Sequence, residues 1–285
     1  MKKQWIFMIT MVIFGTMAPF VRQVSVSSGE LALYRAILAL LLIGPAQLLS
    51  KQRPGKGQLK KMLPLLLLSG AAMGFNWLLL FQAYKYTTVS VATLSYYFAP
   101  VLVTVLCPVL FKEKMKLVNW LCFVFSTVGI VLLTGLGDPS QGQNNLVGIG
   151  FGLGAAVLYA SVMILNKYIK NVPGLQRTLF QLLAATLVLL PYVLFTGGIT
   201  LEKLDPTGWI CLLVLGLIHT GANYCLYFSS IKDIPGQKAA ILSYLDPLVA
   251  VVISVTALHE SISVPQIIGG ALILGFTLLN ELTNS

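Results

Sequence analysis

Leu242-Ser243-Tyr244-Leu245-Asp246-Pro247 places a carboxylate and a proline in the middle of a long apolar run. A fainter copy lies upstream, Leu94-Ser95-Tyr96-Tyr97-Phe98-Ala99-Pro100. Setting Pro100 on Pro247 fixes an offset of 147 residues, and no gap is needed. The same offset superposes Asn76 on Asn223, Phe81 on Phe228, Tyr97 on Tyr244 and Glu113 on Glu260. The chain therefore reads as a duplication. Each half carries a helix-breaking proline inside a hydrophobic stretch, and only the second half adds an acid beside it.

Composition sets the solvent. Of 285 residues, 57% are hydrophobic and 10% are charged, against about 25% charged in soluble domains. A spanning helix needs about 20 largely apolar residues. Ten such segments fit, and they use nearly the whole chain: 5–21, 29–49, 62–84, 88–111, 117–134, 146–168, 175–196, 207–228, 236–258 and 264–282. The fold class is all-α integral membrane, with ten transmembrane helices. The apolar run after Met1-Lys2-Lys3 exceeds a signal-peptide core, and Pro19 spoils the one small-residue site at Thr16-Met17-Ala18, so it reads as an uncleaved first span.

The net charge of +10 does not signal nucleic acid, because the basic residues fall in short loops where topology is set. With the N-terminus inside, fifteen of the nineteen Lys and Arg lie on the inner side. Both termini are then cytoplasmic in a multi-pass plasma-membrane protein. The longest polar, Gly-rich connection near the middle, 135–145, divides the chain into repeats at 1–137 and 145–285. Five spans per half is an odd number, so the two halves must insert in opposite orientations. Inverted repeats of this kind build many alternating-access transporters.

Few residues have chemistry to offer. Cys107, Cys122, Cys211 and Cys225 show no ligand spacing and read as buried thiols. No metal site, cofactor site or nucleophile–base arrangement is visible. The glycines at 148, 150, 152 and 154 read as two small-xxx-small packing faces. Asp246 is the only acid near a span centre, and insertion there costs about 2.5–3.5 kcal/mol. It is either a coupling carboxylate, exchanging a proton for a cationic group, or a silent hydrogen-bonded one. Pro100 and Pro247 each remove a backbone donor, and their matched positions suggest hinges. His219, Asn223 and Tyr227 recur at i, i+4 and i+8 on one helical face. Asn76 corresponds to Asn223, and Tyr96 to Ser243. Tyr159 completes a candidate substrate-binding set of Asn76, Tyr96, Tyr159, His219, Asn223, Tyr227, Ser243 and Asp246. Tyr84, Tyr86 and Tyr192 read as interface anchors. Arg35 is expected to stabilise the bundle, with snorkelling or an imperfect pair to Glu30 as alternatives.

Two five-span halves, each with a proline-containing span, an acidic hairpin and a closing apolar span, resemble the EamA-type members of the drug/metabolite transporter superfamily. The resemblance is carried by Ala99-Pro100 through Glu113, and by Leu245-Asp246-Pro247 through Glu260 to Gly269-Gly270. Many members carry Glu-Pro where this chain has Asp246-Pro247. The resemblance implies a ten-helix basket whose first, third, fourth, sixth, eighth and ninth spans line a cavity, with the fifth and tenth at the periphery. It implies small-molecule substrates such as amino acids, amines and drug-like compounds, often exported. The expected activity is secondary transport of a small amphipathic metabolite, proton-coupled through Asp246. The alternative is a lipid-binding or lipid-translocating membrane protein or accessory subunit. Neither requires an enzyme, a cofactor or a nucleic-acid partner.

Overall fold

A computed structural model describes residues 2–49, 56–111, 117–133, 142–231, 234 and 242–284. The basic loop residues Lys51, Arg53, Lys112, Lys114, Lys116, Lys232 and Lys238, together with Glu113 and most of 135–145, lie outside the described residues. Every regular element among those described is helical. In chain order they are α1 (Lys2–Gly15), α2 (Met17–Arg22), α3 (Ser28–Leu49), α4 (Lys56–Tyr86), α5 (Val89–Tyr96), α6 (Ala99–Phe111), α7 (Leu117–Leu133), α8 (Gly142–Tyr168) and α9 (Gly174–Thr196). They continue with α10 (Pro206–Leu213), a π-helical stretch (Val214–Ala222), α11 (Asn223–Ile231), α12 (Leu245–Thr256) and α13 (Val264–Asn284).

Among the described residues, six segments are long and apolar enough to cross a bilayer, and four shorter apolar helices accompany them. The lipid-facing geometry is clearest on α7. Its buried face carries Asn119, Cys122, Ser126 and Gly129, whereas Leu117, Trp120, Val124, Val128 and Val131 are exposed. That is the reverse of a helix packed on a core in water. It is the arrangement expected where the outer medium is hydrocarbon and the polar groups must turn inward. This multi-pass membrane protein packs by close approach. A Cβ on Gly129 would strike the carbonyl of Gly269, and one on Gly269 the carbonyl of Gly129, so α7 and α13 cross backbone to backbone. Gly148 and Gly152 likewise meet Thr87 and Ser95 at α5, while Gly150 has nothing nearby. The Gly148/Gly152 face is the tighter of the two expected faces, since on the other only Gly154 has a close neighbour, the side chain of Leu79.

Local chemistry explains where the helices start and stop. Thr88 caps α5 by accepting from Val91 N at 3.2 Å, and Asp205 caps α10 by accepting from Gly208 N at 2.8 Å, ahead of Pro206. The proline at 100 leaves no donor for the turn before it. α5 therefore ends at Tyr96, with Tyr97 closing the turn, and α6 starts at Ala99. The second copy breaks at the related place: Tyr244 is a turn residue and α12 starts at Leu245, two residues before Pro247.

The helix ends sort into two groups. Lys3 Nζ reaches Ser229 O at 3.0 Å and Gln58 Nε2 reaches Lys170 O at 2.8 Å. These bonds gather the starts of α1 and α4 with the ends of α8 and α11. At the opposite end, Arg22 pairs with Glu260, and Ser25 Oγ donates to Lys203 O at 3.1 Å.

Candidate functional site

A cavity of about 380 Å³ lies within the bundle, inside the range of small-molecule sites. It is lined from α1, α2, α4, α5, α8, α11 and α12, the helices of the six spans implied by the family resemblance. Two further helices also contribute, each with an arginine: α3 through Arg35, and α9 through Arg177 with Thr178 and Gln181. None of the lining residues belongs to α7 or α13.

Asp246 stands in the first turn of α12 and lines the cavity. Its Oδ2 accepts a hydrogen bond of 2.5 Å from the hydroxyl of Tyr97. The Tyr97 hydroxyl is delivered by the helix break between α5 and α6. The two related breaks thus face each other, one supplying a donor and the other a carboxylate. The ring of Tyr96 stacks on Tyr159 at 5.0 Å and meets Tyr97 edge-on at 5.8 Å. Tyr227 packs against Phe228 at 5.0 Å and Phe7 at 5.6 Å. The result is an aromatic wall with phenol groups beside one carboxylate.

Of the residues singled out from sequence, Asn76, Tyr96, Tyr159, Tyr227, Ser243 and Asp246 all line this cavity. His219 and Asn223 are not among the lining residues. The ring of His219 is buried, with Nε2 3.1 Å from Thr16 Oγ1, Nδ1 3.3 Å from Val214 O and the ring of Phe20 at 5.1 Å. Asn223 Nδ2 donates to Thr10 O at 3.1 Å. The three side chains do share a face, and it is turned toward α1 and its junction with α2: His219 meets Thr16, Asn223 meets Thr10 and Tyr227 meets Phe7. Only Tyr227 of the three also reaches the cavity. A π-helical stretch, Val214–Ala222, leads into Asn223. π-turns are rare and occur often at functional sites.

Asn76 behaves like Asn223 in one respect. Its Nδ2 donates to Ala155 O at 2.6 Å. The α4 amide therefore ties to the backbone of α8, and the π/α11 amide ties to the backbone of α1. Sequence reasoning also misassigned Tyr84. It is buried and lines the cavity, with its hydroxyl 3.4 Å from Thr93 Oγ1, so it is not an interface anchor. Glu30 does not pair with Arg35. Its oxygens take Thr200 N at 2.6 Å, Thr200 Oγ1 at 2.7 Å and Tyr34 Oη at 3.1 Å.

The cavity is asymmetric along the bundle. It extends from Asp246 to Asn166, Arg177 and Phe228, at the end marked by Lys3. The other end is tied shut. Glu260 pairs with Arg22 and accepts from Val89 N at 2.7 Å and from the hydroxyl of Ser254. Arg22 Nη2 also donates to Thr87 O at 2.9 Å and Tyr84 O at 3.2 Å. One ion pair so links α2, α4, α5 and the α12–α13 connection.

The sequence profile of the EamA-like transporter family matches residues 1–135 and 146–281. An uncharacterized transporter of Bacillus subtilis, YxxF, is 31% identical over 246 residues, covering 86% of this chain and 78% of its own. An uncharacterized transporter of Archaeoglobus fulgidus is 28% identical over 272 residues, 94% and 92% of the two chains. A solved crystal structure superposes with a TM-score of 0.65 over 99% of this chain and 98% of its own, at 19% identity. That last likeness concerns the fold alone.

Proposed function

The chain belongs to the EamA-like transporter family, and we propose that this membrane transporter carries a small amphipathic metabolite outward by proton-coupled alternating access. The observation that carries the reading is the Tyr97–Asp246 hydrogen bond inside a cavity tied shut at one end. Burial disfavours an uncompensated carboxylate. A proton relieves that penalty, and so does a cationic group of the substrate. The two compete for one site, which is the minimal logic of antiport. The charged and phenolic groups set in a partly apolar lining favour an amphipathic solute over the lipid-binding alternative.

The proposed frame is ten spans in two inverted five-helix repeats, 1–137 and 145–285. The paired breaks at Tyr97 and Tyr244 and the crossed asparagines support it, as do the two stretches that match the family profile. In this reading Asn76, Tyr96, Tyr159, Tyr227 and Ser243 contact the solute beside Asp246. His219 and Asn223 hold α1 and α2 against the wall. Pro100 and Pro247 are the hinges on which the paired helices rock. With both termini cytoplasmic in the plasma membrane, the end of the cavity marked by Lys3 loads from inside, as export requires.

Two experiments test this. In proteoliposomes, Asp246→Asn should abolish transport driven by a pH gradient while retaining solute exchange without one, and Asp246→Glu should keep partial coupling. Full gradient-driven transport by a monodisperse Asp246→Asn protein would leave Asp246 a structural residue. For topology, single cysteines at Gln58 and Gln143 in a cysteine-free background are probed on intact cells with an impermeant thiol reagent. Labelling at position 143 and protection at position 58 is expected, and the reverse pattern overturns the orientation.

A further inference from the structure

Two arginines line the cavity, and they are held differently. Arg177 spends its guanidinium on the end of α8. Its Nη2 donates to Ile169 O at 3.0 Å and Val172 O at 3.4 Å, and its Nη1 to Asn166 O at 3.4 Å. This is how an arginine caps a helix C-terminus. Arg35 makes no such set. Its side chain is 2% exposed, and its Nε donates to Thr220 Oγ1 at 2.5 Å. Thr220 in turn donates to Leu215 O at 2.8 Å. The guanidinium carbon lies 4.4 Å from the ring centroid of Trp77 and 5.5 Å from that of Phe81. Nη1 has no hydrogen-bond partner.

The carboxylates that could neutralise Arg35 are engaged elsewhere. Glu30 is committed to Thr200, Tyr34 and Ser27, and Asp246 to Tyr97. A guanidinium stays protonated in proteins. The fold therefore orients a permanent cation with a threonine and two aromatic rings, then leaves part of its fork unused at a cavity wall. A planar fork matches a carboxylate in a bidentate way. A polyanion is disfavoured, because Asp246 shares the cavity.

We propose that Arg35 is an anion-binding residue of this cavity, and that the solute bound there carries a carboxylate that serves as the counterion of Arg35. This rests on the transporter reading of the cavity and adds a second charged contact to it, on the opposite sign from Asp246. The carboxylate comes either from a simple monocarboxylic acid or from a zwitterion whose ammonium group meets Asp246.

The test uses the purified full-length protein in detergent. Apparent affinities come from ligand-induced thermal stabilisation, which grows with ligand concentration over Kd. The probes are small monocarboxylic acids and zwitterionic α-amino acids, each beside its own primary amide. At least one acid should bind at least about tenfold more tightly than its amide, a preference that should shrink to within about twofold in Arg35→Gln. Should Arg35→Gln fail to fold, Arg35→Lys keeps the charge and loses the fork, and the acid should weaken at least about threefold relative to its amide. The inference is overturned if no acid binds, if acid and amide bind alike, or if the acid preference is unchanged in the arginine variants. Preference for a zwitterion over the matching simple acid, lost in Asp246→Asn, assigns the ammonium group. Equal binding of the two assigns a monocarboxylate. Transport of an amine without binding of any acid sinks only the Arg35 inference. Acid binding with no transport of that acid in proteoliposomes sinks only the transport reading.

Discussion

The helix breaks at Tyr97-Phe98-Ala99-Pro100 and at Tyr244-Leu245-Asp246-Pro247 share a backbone plan and differ in chemistry. In both, a tyrosine closes the turn three residues before a proline, and a new helix starts beyond it. In the first, Ala99 is fully buried in a cluster with Ala156 and Ala160 of α8. In the second, Asp246 is half-buried on the cavity wall and holds the hydroxyl of Tyr97. The comparison teaches that the break and the charge are separable. The proline supplies the geometry in both copies, while the packing of the residue just before it decides whether a carboxylate is tolerated.

The largest expected effect breaks that distinction directly. Ala99→Asp would place an acid in the closed alanine contact, with no room for water and no hydroxyl delivered to it. We expect it to cost about 3 kcal/mol, read as a lowered unfolding midpoint in detergent. Unchanged stability would mean that the α6–α8 contact opens freely and that the two copies are interchangeable. Next, Tyr97→Phe removes a hydrogen bond that joins the two breaks. Bonds to charged groups contribute about 1.5–3 kcal/mol, so gradient-driven turnover should fall at least about tenfold. Wild-type turnover would make the tyrosine a space-filler. The smallest effects sharpen the shared half of the comparison. Pro247→Ala and Pro100→Ala should each slow turnover yet leave equilibrium solute binding within about threefold. Wild-type kinetics in both variants and in the double variant would reduce the prolines to scaffold.

Much of this was legible in the sequence, because hydrocarbon imposes simple rules. Apolar length marks the spans, and Pro100 and Pro247 mark the breaks. Asp246 declares itself, since an acid at mid-span needs a reason to be there. What stayed hidden were the relations across the bundle. Tyr97 was legible as the repeat partner of Tyr244, but its reach to Asp246 depends on how two broken helices face each other. Arg35 was visible as an intramembrane charge, yet its place on the cavity wall follows from the packing of α3 on Trp77 and Thr220. The stripe of His219, Asn223 and Tyr227 was legible as one face, but α1 and Thr16 cover His219 and Asn223, and only Tyr227 reaches the cavity. Tyr84 was assigned to the interface by its place near a helix end, where packing against α5 buries it instead.

The crossed asparagines bear on how the chain is made. The Asn76 amide nitrogen donates to the backbone of α8, and that of Asn223 to the backbone of α1. A polar group left without a partner in hydrocarbon costs several kcal/mol. When α4 leaves the ribosome and enters the bilayer, its asparagine has no mate until α8 is synthesised. The N-terminal half is then an incomplete insertion intermediate, dependent on lipid headgroups, water or an insertion factor until the second half arrives. Neither half is a self-sufficient unit of biogenesis, however alike the two are in sequence. Expressed as separate fragments, they should accumulate only when made together.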